Sequence, residues 1–311
     1  MTTSAFDSNL QSRLAEVHVY IATPFTDDLQ SVNRDGLAHH LDSIITRGVK
    51  IVAVGGGTGE SDALSPQEQI TLAEIAVKAS AGRALAIASL PGNFGEVKSI
   101  LRAYEKIGVE VVLALPPLVR GKPVTDIEGL IQYFNYVTSI TSIAVMPYNN
   151  QSWPIEMFWK LAENPGVVSV KDAMLDPYPM LQAIPLLKER FVWIGNKRFD
   201  PPLTHLRYQS GMQAFTSGMA NFFPEPELEL HKACIAGDWV RALELQRICS
   251  VFAHLRSGAD DAAAVKAAMT LVGYQGGMVR PPRVNIDQSS ILQLDQILTS
   301  INAPRKNDFY W

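Results

Sequence analysis

Residues 82–117 read GRALAIASLPGNFGEVKSILRAYEKIGVEVVLALPP and hold one complete strand–helix–strand unit. Leu85–Ser89 is a short apolar run closed by a Pro-Gly-Asn turn, Phe94–Ile107 has helical spacing, and Gly108 stands where that helix should stop. Val109–Leu115 then begins the next run, rich in Val and Leu. A short apolar run bounded by turn residues reads as a buried strand, and a 3.6-residue period as a helix. Working outward, the same alternation recurs along the chain. Further strand-like runs are Val17–Ala22, Ile51–Val54, Ile143–Pro147, Val167–Lys171, Phe191–Gly195 and Ala214–Ser217. Helical segments between them include Arg34–Arg47, Pro66–Ser80 and Asp126–Ser139, with Ser65-Pro66 supplying a cap and a first-turn proline. Gly48, Gly82 and Gly166 fall where a helix should end and a strand begin. Eight even strand–helix units predict an α/β fold, a closed (β/α)₈ TIM barrel, in preference to an open doubly wound sheet.

The barrel pattern is used up near residue 225. We expect a barrel carrying the active site over 1–225 and a C-terminal helical bundle packed on it over 226–311. The bundle's helical stretches are Ala233–Gly237, Asp238–Leu255, Asp260–Leu271 and Ser289–Ser300.

Composition narrows the function. The 311 residues are 47% hydrophobic and 19% charged with a net charge of −4, which leaves no basic stripe for nucleic acid. No apolar run approaches the roughly 20 residues of a membrane span. Met1–Arg13 is polar and lacks an apolar signal core. Only two cysteines occur, Cys234 and Cys249, so a reduced, cytoplasmic setting is expected. The histidines (18, 39, 40, 205, 231 and 254) form no cluster at strand ends, so no metal is expected and a metal-dependent aldolase is disfavoured.

Barrel chemistry sits at the C-terminal ends of strands. Two features stand there: a lysine, Lys171, and a glycine-rich turn, Gly55–Gly59. Strict alternation puts Val167, Ser169 and Lys171 on one face and Val168 and Val170 on the other. An amine pointing into a low-dielectric mouth loses its charge more readily and condenses with a ketone to give an electron-withdrawing iminium. Tyr148 ends the fifth run and is placed to carry protons, with the Thr58 hydroxyl as a link to substrate or solvent. The turn is no phosphate loop, because Glu60 follows Gly59 where Gly-Lys-Ser/Thr is needed. Its backbone N–H groups at Gly57 and Thr58 suit a small carboxylate instead.

These segments together resemble one family. Thr23-Pro24-Phe25, Gly57-Thr58-Gly59-Glu60-Ser61, Tyr148-Asn149, Ser169-Val170-Lys171-Asp172 and Val279-Arg280-Pro281-Pro282 match, in order and spacing, the signatures of the dihydrodipicolinate synthase/N-acetylneuraminate lyase family. The resemblance implies a lyase in which Lys171 forms a Schiff base with pyruvate or another 2-keto acid and Tyr148 shuttles the proton. Thr58 and Gly57 would hold the keto-acid carboxylate, and Gly195 would line the same pocket. It further implies no cofactor beyond the covalent lysine imine, and a homo-oligomer, dimer or tetramer.

The departures bear on substrate. Gly57 replaces a threonine, Trp153 stands where dihydrodipicolinate synthases place a carboxylate-binding arginine, and Leu118 replaces an intersubunit tyrosine. The pattern is closer to the 5-dehydro-4-deoxyglucarate dehydratase branch, through Leu115-Pro116-Pro117, Ser217 and Asn221-Phe222-Phe223-Pro224. That branch has an arginine after Tyr-Asn, where this chain has Asn150, and aromatics where it has Ser61-Asp62. The expected pocket then uses Asn149, Asn150, Ser217 and Trp153 toward the substrate, with Lys197 or Arg198 meeting a distal carboxylate. The alternatives are a true 4-hydroxy-tetrahydrodipicolinate synthase and a catalytically silent sugar-acid binder.

Overall fold

The computed structural model describes residues 8–174, 176–187, 189–196, 203–257 and 260–305. Within them, eight parallel strands close into a barrel: β1 (His18–Tyr20), β2 (Ile51–Val54), β3 (Leu85–Leu90), β4 (Val111–Ala114), β5 (Ala144–Asn149), β6 (Ser169–Asp172), β7 (Val192–Asn196) and β8 (Ala214–Ser217). Each strand pairs with its neighbour in sequence, and β8 returns to β1 through His18 beside Thr216. The open-sheet alternative is thereby excluded. Each expected run overlaps its strand; β3, β6 and β7 end one residue beyond their runs and β5 two, which brings Tyr148 and Asn149 into the sheet.

The period-two pattern divides two cores. Ile51, Ala53, Leu85, Ile87, Val111, Leu113, Met146, Val192 and Ile194 fill the interior. Val52, Val54, Ala88, Val112, Val145 and Trp193 face the helix layer. Leu14, from the first helix α1 (Ser8–Leu14), joins the interior cluster and plugs the bottom of the barrel.

The helices that follow are α2 (Arg34–Thr46), α3 (Pro66–Ser80), α4 (Phe94–Ile107), α5 (Ile127–Ser139), α6 (Ile155–Ala162), α7 (Tyr178–Leu187), α8 (Thr204–Gln209) and α9 (Glu225–Ala236). α3 starts with a full capping box, in which Ser65 and Glu68 satisfy each other's exposed N–H groups behind Pro66. α4 stops at Gly108, whose φ of 88° turns the chain out of the helix into β4. α9 follows β8 and packs chiefly against the helix that comes after it, with smaller contacts to α8 and β8. Pro226 lies in its first turn, where it removes only an N–H that has no partner anyway. Beyond Gly237 the helical extension continues with α10 (Trp239–Ser257), α11 (Asp261–Val272) and α12 (Gln288–Ser300).

A buried ion pair ties that extension to the glycine-rich turn. Lys266 Nζ on α11 lies 2.5 Å from Glu60 Oε1, with both side chains at most 1% exposed, and donates to the Met278 carbonyl at 2.8 Å. Removing one partner strands the other's charge away from water. Lys266→Met should therefore cost about 3–5 kcal/mol by urea unfolding, and Lys266→Met/Glu60→Gln should recover part of it. Equal stability of the single variant and the wild type would contradict this.

Three histidines are buried. His18 bonds the Leu14 carbonyl at 2.9 Å, His40 the Asn221 carbonyl at 2.7 Å, and His231 the Tyr208 hydroxyl at 2.7 Å. Burial pulls each down to about 4 from the ordinary 6.5. Below pH 6.5 the unfolded chain takes up protons that the folded chain refuses, so stability falls as the pH drops from 6.5 toward 4. The loss should reach about 2 kcal/mol per histidine at pH 5. The urea midpoint should accordingly be lower at pH 5 than at pH 7, and an unchanged midpoint would contradict the burial argument.

Candidate active site

At the C-terminal end of the barrel, β5 and β6 pair with a changed register. Val145 bridges Val167, but Tyr148 lies beside Lys171, so β6 holds one residue more than β5 between those points. This bulge corrects the strict alternation read from sequence. Val167 belongs to the outer core while Val168 packs against the interior, and Ser169 and Lys171 align with the inward-facing Val192 and Ile194. A bulge re-aims the residues beyond it. Here it sends Lys171 into the barrel mouth.

Lys171 is 7% exposed. Its Nζ stands 3.5 Å from the centroid of the Tyr20 ring and 4.0 Å from that of Tyr148, between two phenol faces. The neighbouring carboxylate, Asp172, is engaged elsewhere: it accepts from Asn149 Nδ2 at 2.7 Å and from the Met174 N–H at 2.9 Å. Burial holds the Lys171 amine well below the usual lysine range, and the nearby Arg256 charge pushes the same way. The ring faces favour a cation, but by less than the desolvation they impose. The result is an amine that gives up its proton, and so becomes a nucleophile, more readily than an ordinary lysine.

Tyr148 is shifted in the other direction. Burial and the Asp172 charge raise it, against a smaller lowering by Arg256, so it stays a phenol at neutral pH. Tyr20 is pushed well up by burial, and its Oη has no hydrogen-bond partner among the described residues. Gly56 gives the Tyr20 ring its space, since a Cβ there would lie 2.8 Å from Tyr20 Cδ1.

These groups surround a cavity of about 160 Å³, room for about five waters. Of the residues expected from sequence, Lys171, Tyr148, Thr58, Gly57 and Ser217 line it. A Cβ on Gly57 would touch nothing within 4 Å, so the missing threonine leaves open space. Thr58 Oγ1 donates to Asp261 Oδ2 at 3.3 Å and accepts from Arg256 Nη2 at 3.3 Å. The expected link from Thr58 to Tyr148 is not made directly.

Three other expected residues lie outside the lining. Trp153 is 2% exposed and packs edge-on against Phe134 and Phe158 at 5.7 and 6.4 Å, in the core between strands and helices. Asn149 shapes that loop instead of touching the cavity: its Oδ1 accepts from the N–H groups of Gln151 and Trp153 at 3.3 and 3.1 Å. Gly195 faces outward, where a Cβ would collide with Met212, and its neighbour Asn196 lines the cavity. Asn150 is exposed, and Lys197 and Arg198 lie outside the described residues.

Sequence reading missed Tyr20, Asn196, Thr216, Arg256 and Asp261, all of which line the cavity. Tyr20 carries a usable signal, sharing parity with His18 at the end of β1. Arg256 and Asp261 carry none, because they come from α10 and α11 of the extension.

Residues 13–301 match the Dihydrodipicolinate synthetase family. A probable 5-dehydro-4-deoxyglucarate dehydratase from Corynebacterium glutamicum is 28% identical, over 91% of this chain and 90% of its own length. A 4-hydroxy-tetrahydrodipicolinate synthase from Methanopyrus kandleri is 30% identical, over 84% and 88%. Among solved structures, dihydrodipicolinate synthase from Oceanobacillus iheyensis superposes with a TM-score of 0.87 at 20% identity, covering 94% of this chain and 98% of that one. With the signature segments, the barrel and a match over nearly its full length in agreement, the chain belongs to the dihydrodipicolinate synthetase family.

Proposed function

We propose that this lyase works through a Schiff base on Lys171, taking pyruvate or a 2-keto-3-deoxy sugar acid, with no cofactor. The observation that carries the reading is the Lys171 amine itself, buried without an ion-pair partner among the described residues and stacked between Tyr20 and Tyr148. The amine adds to the C2 carbonyl and water leaves, giving an iminium that draws electrons from C3. In dehydration, a proton leaves C3 and the C4 hydroxyl departs as water. In cleavage, the C4 hydroxyl loses its proton as the C3–C4 bond breaks. In both, Tyr148 is the phenol within reach, passing on its own proton as it accepts another. The N–H groups of Gly57 and Thr58 receive the C1 carboxylate. Hydrolysis of the imine returns the amine.

The condensing synthase is the second reading, favoured by the Methanopyrus relative. Against it, Trp153 is locked among aromatic side chains where a carboxylate-binding arginine would be needed, and Leu118 lies 58% exposed on a small hairpin. That exposed apolar hairpin supports a homo-oligomer, and the two buried free cysteines support a reducing, cytoplasmic setting. The test is turnover. NMR of mixtures with 2-keto-3-deoxy sugar acids should show either a dehydrated keto acid or released pyruvate. Binding of these acids without turnover, and none with pyruvate plus aspartate semialdehyde, would replace the enzyme with a silent binder.

A further inference from the structure

The glycine-rich turn closes on itself: Gly59 and Ser61 donate to the Gly56 carbonyl at 3.0 and 3.1 Å, and Glu60 to that of Gly57 at 3.0 Å. Among the described residues nothing engages the N–H groups of Gly57 and Thr58, and both residues line the cavity. These donors hold a carboxylate only while the turn keeps one orientation, because a hydrogen bond weakens steeply as its donor swings off line.

Two flanks fix that orientation. On the barrel side, Thr23 Oγ1 donates to the Gly59 carbonyl at 2.8 Å, and a Cβ on Gly59 would lie 2.8 Å from the Ile21 carbonyl oxygen. The other flank is Glu60, a non-glycine residue whose φ of 61° lies in the left-handed region. A side chain stays there only where its surroundings hold it. Glu60 is fully buried; its Oε2 accepts from the Arg280 N–H at 2.9 Å, and its Oε1 meets Lys266 Nζ at 2.5 Å. Lys266 is itself pinned, donating to the Met278 carbonyl at 2.8 Å and standing 4.3 Å from the centroid of the Phe25 ring. The same helix, α11, also reaches the turn at Thr58 through Asp261 at 3.3 Å, but that carboxylate is 43% exposed, whereas the Lys266–Glu60 pair is sealed from water.

Resting on the Schiff-base reading, we infer that Lys266 is a positioning residue for the substrate's C1 carboxylate: acting through Glu60, it holds the Gly57–Thr58 backbone in the orientation that receives it. A side chain of the helical extension, touching no substrate atom, thereby sets how well the barrel mouth tells a 2-keto acid from an uncharged ketone. Hydrogen bonds to a carboxylate are roughly twice as strong as those to a neutral group, so the grip is worth on the order of tenfold.

The test compares pyruvate with pyruvamide, similar in size and different in charge, by calorimetry and by borohydride trapping over a range of concentrations. The wild type should bind pyruvate about tenfold or more tightly than pyruvamide. Lys266→Met/Glu60→Gln strands no buried charge and should bring the ratio to within about threefold. The loss should fall on the half-saturating concentration of pyruvate, leaving the trapping rate at saturation and the pyruvamide titration little changed. Glu60→Asp, which keeps both charges but draws the carboxylate back from Lys266, should lower the ratio in the same sense. A ratio that survives in both variants, equal losses for the two ketones, or a wild type without preference overturns the inference. The Schiff-base reading fails separately: a calorimetric preference that depends on Lys266, with no trapped adduct, would uphold the positioning and remove the imine.

Discussion

Lys171→Ala should retain the fold and lose turnover by about 10⁴-fold or more, the scale seen when a covalent nucleophile is removed. The side chain is buried without an ion-pair partner among the described residues, so its deletion strands no opposite charge. The thermal midpoint should change little, because the lost packing between Tyr20 and Tyr148 is offset by relief of a desolvated amine. Lys171→Arg is the sharper control. It keeps a cation but not a nucleophile, since a guanidinium does not deprotonate near neutral pH. A Lys171→Arg variant with substantial turnover would mean that charge, not imine formation, is what the site supplies.

Tyr148→Phe is expected to separate binding from chemistry. Proton transfer by a positioned side chain contributes about 10²–10⁴-fold, and kcat should fall by that amount. The phenyl ring retains the face against Lys171, so the imine should still form and remain trappable, though more slowly. Because burial and the Asp172 charge hold Tyr148 above its ordinary range, the wild-type rate should persist to alkaline pH before the phenol ionises. On the acid side, activity should rise with pH as Lys171 loses its proton, and this limb lies well below that of an ordinary lysine. Tyr20→Phe gives the contrast: it removes only a hydroxyl with no partner among the described residues and should change kcat far less. Equal losses in the two variants would assign the proton to the pair instead of to Tyr148.

Much of this was legible in the amino-acid order because barrel strands and their helices advertise themselves locally. The unit at Leu85–Leu115 contains both periods and its own terminating glycine, and the other seven repeat it. Lys171 and Tyr148 were legible for the same reason, since a polar residue ending an apolar strand has one place to go in a barrel. Gly195 is an instructive failure, because alternation from the inward Ile194 already sends it outward to Met212. Trp153 needed more. Its position in the motif pointed to the substrate, while the Asn149 turn carries its ring into the aromatic core. The register change at Val168–Ser169 follows from the pairing of β5 with β6, which neither strand reveals alone. Arg256 and Asp261 lie furthest from sequence reading. Each is an ordinary helix residue until the extension folds back and places it on Thr58, 198 positions away for Arg256 and 203 for Asp261.

The most direct measurement is borohydride reduction of the wild type with pyruvate, followed by peptide mass mapping. A pyruvate-sized adduct on the peptide containing Lys171, absent from Lys171→Ala, is the expected result. Absence of any adduct with pyruvate and with 2-keto-3-deoxy sugar acids, or an adduct confined to another lysine, would contradict a Schiff-base site at Lys171.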